Sequence, residues 1–108
     1  NKIMKINYQI VSIVGDDSKY DGELSKTFAT LEEARKAFDS INLKEEIRIE
    51  WNNTWYGKRD EFRKNNTYFG YSLEKVTTDD DDNEETEEID YNVMTYNEFE
   101  EKYEGGNN

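Results

Sequence analysis

The most concentrated chemical feature of the sequence is a run of acidic side chains in its last third. Eight of the ten residues from Asp79 to Glu88 are acidic, and one more acid follows closely. The members of this acidic set are Asp79, Asp80, Asp81, Asp82, Glu84, Glu85, Glu87, Glu88 and Asp90. Extended at about 3.3 Å per residue, the run would place a charge every ~4 Å, close to the ~3.4 Å per phosphate along one DNA strand. We therefore expect it to suit a groove lined by Lys or Arg and to compete there with nucleic acid.

Two simpler interpretations apply to the same run. A block of like charges is usually a solvated loop that adds solubility. Carboxylates also attract hard cations, but a specific site needs ligands that converge in space. The turn beginning at Asp17 fails as a calcium loop, because Lys19 and Phe28 stand where oxygen ligands are required. We therefore expect no metal site and no cofactor.

A second candidate surface interleaves aromatic and basic side chains in and around the segment 52–66. Its members are Trp55, Tyr56, Lys58, Arg59, Arg63 and Lys64. Such a set is able to stack single-stranded bases and hold their phosphates, so a nucleic-acid-binding module is the alternative function. The simpler interpretation is that the aromatic residues build the core while the cations pair with Asp60, Glu61 or the acidic segment over 77–108. A third possibility is that this acidic segment lies on the patch and blocks it.

The residue types that are missing exclude most catalytic chemistry. The chain has 108 residues, with no His and no Cys, so a Ser-His-Asp triad, a thiolate nucleophile, a disulfide framework and an ordinary zinc site are excluded. Carboxylate pairs remain, such as Glu45 with Glu46, or Glu50 with Glu74 on adjacent predicted strands, but no pattern indicates a pocket around them. We expect a non-enzymatic protein, with a small-ligand or carboxylate-enzyme domain as a further alternative. No apolar stretch approaches the ~20 residues that cross a bilayer, so we expect a cytoplasmic protein without membrane partners.

The charge is distributed very unevenly along the chain. Residues 1–76 carry thirteen basic and thirteen acidic side chains, whereas residues 77–108 carry one and thirteen. The formal net charge of −12 therefore belongs entirely to the last 32 residues. This division predicts a neutral globular body over 1–76 and an acidic segment over 77–108, in which an acidic loop over 78–88 precedes a docked strand and a short helix.

Alternation of apolar and polar residues predicts the strands. They lie over residues 6–14, 24–28, 46–51, 67–76 and 89–93. The first is expected to be central in the sheet, because it becomes continuously apolar. The fourth is expected to pair with the third, across the segment 52–66.

Two capping boxes predict the helices. Thr30 and Glu33 form the first, and an apolar stripe of Leu31, Ala34, Phe38 and Ile41 leads to an expected end at Asn42. Thr95 and Glu98 form the second, which opens a helix with Tyr96, Phe99 and Tyr103 on one stripe. The predicted order is β-β-α-β-β-β-α. It describes a single small α+β domain with a mostly antiparallel sheet of four to five strands, one packed helix and a short C-terminal helix.

No motif identifies a family. In size, acidity and single-domain organisation the chain resembles small proteins of phages and mobile elements that inhibit host nucleic-acid enzymes, including DNA mimics and anti-CRISPR proteins. That resemblance implies a non-enzymatic inhibitor whose partner is a basic nucleic-acid-binding enzyme. The resemblance is one of composition, and it names no target.

Overall fold

Four strands and four helices make up the described part of the chain. The computed structural model describes residues 4–16, 20–52 and 58–103. Along the chain the elements are β1 (Lys5–Gly15), β2 (Tyr20–Phe28), α1 (Leu31–Asp39), α2 (Leu43–Asn52), α3 (Lys58–Asn65), β3 (Tyr68–Thr78), β4 (Glu84–Thr95) and α4 (Tyr96–Tyr103). The predicted α+β class is confirmed.

The strands form one antiparallel sheet in the order β2-β1-β3-β4. Strand β1 pairs with β2 from Tyr8 opposite Phe28 to Gly15 opposite Tyr20, and with β3 along its whole length. Strand β3 pairs with β4 from Tyr68 opposite Thr95 to Thr78 opposite Glu84. The first predicted strand is therefore central, as expected, and the acidic segment supplies an edge strand.

The register divides the sheet into two faces, because residues opposite each other on paired strands point to the same side. Ile10 lies opposite Leu73, and both belong to the core beneath α1. We call this side the helix-bearing face. Glu74 lies opposite Gln9 on one neighbouring strand and opposite Glu88 on the other, and these three residues point to the opposite side, the outer face.

Two apolar clusters fill the space between the helix-bearing face and the helices. The buried members of the first are Leu43, Ile47, Phe69, Tyr96 and Phe99, and those of the second are Ile10, Ala34, Phe38 and Leu73. The half-buried Tyr71 contacts both clusters and joins them. Fully burying one such side chain contributes about 1.5–3 kcal/mol, so these clusters hold the helices on the sheet.

Both predicted helix N-caps are present, and the second forms the complete capping box. The Thr30 hydroxyl accepts the backbone N–H of Glu33 at 3.2 Å, and α1 begins at the next residue. The hydroxyl of Thr95 accepts the N–H of Glu98 at 3.2 Å, while the Glu98 carboxylate accepts the N–H of Thr95 at 3.0 Å. Phe99 and Tyr103 then pack in the first cluster, as their spacing predicts.

The predicted end of α1 at Asn42 is wrong. The helix stops at Asp39 and is capped by Ser40, whose backbone N–H donates to the carbonyl of Ala37 at 3.2 Å, while the N–H of Ile41 donates to that of Phe38 at 3.2 Å. Asn42 instead begins the next helix, since its side-chain oxygen accepts the N–H of Glu45 at 3.3 Å. An Asn serves equally well at either end of a helix, which is why the sequence misplaced this one.

The strand predicted over 46–51 is also wrong, because those residues lie in helix α2. Ile47 and Ile49 satisfy an alternating pattern, but Leu43 and Ile47 satisfy the four-residue spacing of a helix equally well. The structure buries Leu43 and Ile47 together and leaves Ile49 half exposed. Strand β3 consequently pairs with β1 and β4, and the segment 52–66 contains α3.

Candidate partner-binding surface

The acidic run does not form a loop over 78–88. A tight turn over Asp79–Asn83 joins β3 to β4, and the strand begins immediately afterwards at Glu84. The N–H of Asp82 donates to the carbonyl of Asp79 at 3.1 Å, and the N–H of Asp79 donates to the carbonyl of Asn83 at 3.0 Å. Asp82 has a φ of 63°, the left-handed conformation that closes a three-residue hairpin loop. We call the segment Asp79–Glu88 the acidic hairpin.

Asp79 builds this turn. Its carboxylate accepts the backbone N–H groups of Asp81 at 2.9 Å and Asn83 at 3.0 Å. These bonds, led by the one from Asn83, lower the pKa of Asp79 below its ordinary value. Asp79 is therefore a structural member of the hairpin, and Asp80, Asp81 and Asp82 are exposed on the turn that it holds.

The strand part of the hairpin presents carboxylates on both faces of the sheet edge. Residues Glu84 to Glu88 are all exposed. Glu85 and Glu87 lie opposite Thr77 and Lys75 on the helix-bearing side, while Glu84 and Glu88 lie on the outer side. At about 3.4 Å per residue the extended acidic stretch is about 14 Å long. It is shorter than the ~30 Å of a fully extended run, because the four aspartates curl into the turn.

Glu88 belongs to a polar cluster on the outer face. The hydroxyl of Ser72, only 2% exposed, lies 3.0 Å from a carboxylate oxygen of Glu88 and 3.2 Å from one of Glu74. The side-chain amide of Gln9 donates to the other oxygen of Glu74 at 2.7 Å. Two like charges thus stand on adjacent strands around one hydroxyl, an arrangement that lowers stability.

Asp90 ties the edge strand to helix α1. Its carboxylate lies 2.7 Å from the guanidinium of Arg35, and this bond lowers the pKa of Asp90. A bulge precedes it, because Leu73 lies opposite Asp90 whereas Glu74 lies opposite Glu88, so that Ile89 is the extra residue. Ile89 packs against the second apolar cluster. The bulge therefore separates the exposed acidic hairpin from the docked remainder of β4.

The predicted acidic set therefore divides by role. Asp79, Glu88 and Asp90 bond to other residues of the fold. Glu84, Glu85 and Glu87 form no ion pair within 4 Å with a cation among the described residues. These three are exposed on the strand, and Asp80, Asp81 and Asp82 are exposed on the turn.

The alternative aromatic-basic patch is only partly within the described structure. Trp55 and Tyr56 lie outside the described residues, and of Lys58 and Arg59 only the backbone, in α3, is described. Lys64 is exposed at the end of the same helix. Arg63 is engaged by the acidic segment through Glu100.

Contacts of Arg63 join α3 to α4. Its guanidinium lies 3.5 Å from the carboxylate of Glu100, 3.2 Å from that of Asp60, and donates to the hydroxyl of Tyr96 at 3.2 Å. Asn66 strengthens the junction, since its side-chain oxygen accepts the N–H of Asn97 at 2.8 Å. Arg63, one cation of the patch, thus pairs with Asp60 and with Glu100 of the acidic segment.

Two shallow depressions lined by described residues are candidates for a small-ligand site. One, of about 310 Å³, is lined by Met4, Thr77, Asp79, Asn83 and Glu85, and one, of about 660 Å³, by Lys26, Thr27, Phe28, Ala29, Glu33, Lys36, Ala37 and Ser40. The carboxylates of Asp79 and Glu33 in them already accept hydrogen bonds from their own turn and cap. Neither depression gathers two unengaged carboxylates at a buried point.

The carboxylate pairs proposed from sequence do not converge either. Glu50 lies in α2 and not on a strand beside Glu74, so that predicted pair is wrong. Glu45 is exposed in the first turn of α2, 3.9 Å from Arg48. In residues 4–16, 20–52 and 58–103, no three acidic side chains are grouped closely enough to hold a metal ion. The pair that does meet, Glu74 with Glu88, escaped sequence analysis because the bulge at Ile89 sets its register.

Comparison with known proteins adds no relative. No protein-family model, curated protein or solved structure matches the chain. Within the described part of the chain, no helix is long and apolar enough to cross a membrane.

Proposed function

We propose that this protein is a non-enzymatic interaction protein whose acidic hairpin binds a basic partner, as an inhibitor of a nucleic-acid-binding enzyme would. The observation that carries the proposal is the placement of Glu84, Glu85 and Glu87 on an exposed sheet edge, where none of them forms an ion pair within 4 Å with a cation among the described residues. A rigid edge presents these charges at fixed spacing, unlike a solvated loop. Their alternation over two faces suits a partner that wraps around the edge.

The surrounding structure supports this assignment in two ways. The turn of Asp79 and the ion pair of Asp90 hold the two ends of the hairpin, so that partner binding orders few additional residues. The acidic segment also carries the whole formal charge of −12, which accelerates encounter with a basic surface and makes that encounter sensitive to salt.

Affinity capture with matched charge variants tests the proposal. The bait proteins are the wild type, the hairpin variant Glu84→Gln/Glu85→Gln/Glu87→Gln, and a control variant that neutralises the exposed Glu32, Glu61 and Glu101. Both variants change the net charge by the same amount. After nuclease treatment of the lysate, quantitative mass spectrometry compares the proteins that each bait retains.

The proposal predicts basic nucleic-acid-binding proteins that the wild type and the control variant retain and the hairpin variant loses. Exposed charge pairs are each worth about 0.2–1 kcal/mol, so three of them weaken binding by roughly threefold to a hundredfold. Single-stranded DNA added to the bound complex should displace the protein. Equal retention by all three baits would contradict the proposal, as would equal loss from both variants.

A further inference from the structure

Strand β4 is the exposed edge of the sheet along the acidic hairpin, and its backbone hydrogen bonds can be assigned from the turn. The N–H of Asp79 donates to the carbonyl of Asn83, so these two residues form a hydrogen-bonded pair. In an antiparallel ladder such pairs alternate with pairs that do not bond to each other. Glu85 and Glu87 therefore bond to β3, whereas the N–H and carbonyl groups of Glu84, Thr86 and Glu88 point outward from the sheet.

An outward row of donors and acceptors is the feature that another extended chain pairs with. The acidic hairpin shows three such residues in succession before the bulge at Ile89 ends the regular register. The side chains decide which chain fits. A second copy of this protein would set Glu against Glu, and like charges directly opposite each other oppose pairing. Nucleic acid is excluded in the same way, since its phosphates carry the same sign.

We infer that the partner contributes a basic, extended segment that adds to the outer edge of β4 as a fifth strand. This inference rests on the proposed function and specifies how the acidic hairpin would bind. Backbone bonds to Glu84, Thr86 and Glu88 supply the register. The hairpin carries Glu85 and Glu87 on the helix-bearing face and Glu84 and Glu88 on the outer face. A Lys or Arg side chain of the incoming strand therefore lies near a glutamate on either face of the sheet.

A proline substitution separates strand addition from general charge attraction. The N–H of Thr86 points outward, so Thr86→Pro removes a bond to the incoming strand without removing one to β3, and proline is tolerated at such edge positions. Thr86→Ala removes the side chain and keeps the N–H. The probe is a fluorescent seven-residue peptide that alternates Lys with Thr, and its affinity is measured by fluorescence anisotropy at low salt.

The inference predicts that Thr86→Pro weakens peptide binding by roughly tenfold or more and that Thr86→Ala changes it by less than about twofold. Methylating alternate backbone nitrogens of the peptide should weaken its binding to the wild type similarly. Circular dichroism shows whether Thr86→Pro folds. If it does not, the comparison of methylated with unmethylated peptide on the wild type still tests strand addition.

The possible failures are distinguishable. Equal binding of the methylated and unmethylated peptides by the wild type would overturn strand addition, while a loss of binding in the hairpin variant would still uphold the acidic surface. Equal binding by the wild type and the hairpin variant would overturn the acidic surface itself and the inference with it. Absence of peptide binding, with captured proteins still lost from the hairpin variant, would overturn strand addition alone.

Discussion

Gly70 tests how closely the edge strand β4, which carries the acidic hairpin, pairs with β3. It lies in β3 opposite Val93 of β4. A Cβ atom added at Gly70 would stand 2.1 Å from the carbonyl oxygen of Asn92 and 2.6 Å from the Cα of Val93. Both are backbone atoms. We therefore predict that Gly70→Ala forces β4 away from β3.

The magnitude follows from the size of the overlap. The optimal separation of non-bonded heavy atoms is about 3.5 Å, so β4 must move away from β3 by about 1 Å to relieve these contacts. Overpacking of this kind costs about 1–3 kcal/mol, and each ladder hydrogen bond that the shift lengthens loses up to about 1 kcal/mol. Replacing a strand glycine with alanine returns about 0.5–1 kcal/mol. The net expectation is a loss of about 2–4 kcal/mol of unfolding free energy.

Urea unfolding followed by circular dichroism measures this loss. The midpoint should fall by about 1–2 M, and the melting temperature by about 10–25 °C. Val93→Ala should not rescue Gly70→Ala, because the closest contacts are with backbone. Gly22 is an exposed glycine of β2, so Gly22→Ala should leave the unfolding free energy unchanged or raise it by up to about 1 kcal/mol. An unfolding midpoint of Gly70→Ala within error of the wild type would refute the close pairing of β3 with β4.

Three further perturbations test individual contacts. Glu88→Gln removes one of two like charges and should raise the unfolding free energy by about 0.2–1 kcal/mol, whereas a lower melting temperature would contradict the close approach of Glu74 and Glu88. Thr95→Ala removes the capping hydroxyl of α4 and should lower the unfolding free energy by about 0.5–2 kcal/mol in urea titrations. Arg35 lowers the pKa of Asp90, so this contact stabilises the protein fully above the ordinary carboxyl pKa near ~4 and loses its effect as the pH falls from there through the lowered pKa. Asp90→Asn should therefore melt below the wild type at pH 7, with a gap that narrows toward pH 3; a gap independent of pH would contradict the pairing.

Local signals predicted the parts of the fold that local chemistry determines. Both helix N-caps could be predicted directly, because a Thr followed three residues later by a Glu is the local pattern that caps the first helical amides. The pattern of β1, which alternates and then becomes continuously apolar, identified a central strand. Residues 46–51 could not be assigned in this way, since their pattern fits two periods, and the burial of Ile47 against distant residues makes them helical.

The candidate site was predictable in composition and not in geometry. The sequence located the acidic run and its excess charge. The sequence could not show that the Asp79 carboxylate would accept the backbone N–H groups of a turn. Nor could it show that a bulge at Ile89 would place Glu88 beside Glu74. Both depend on the register between β3 and β4, which is set by pairing between residues far apart in the chain.

Amide exchange measured by nuclear magnetic resonance, with and without the Lys-Thr peptide, locates the binding surface residue by residue. Binding of a basic segment at the acidic hairpin should slow the exchange of the outward amides of Glu84, Thr86 and Glu88. The amides of Glu85 and Glu87, already bonded to β3, should change little. Peptide-dependent protection that maps instead to α3 around Lys64, or to the opposite edge strand β2, would contradict the assignment of the acidic hairpin as the binding surface.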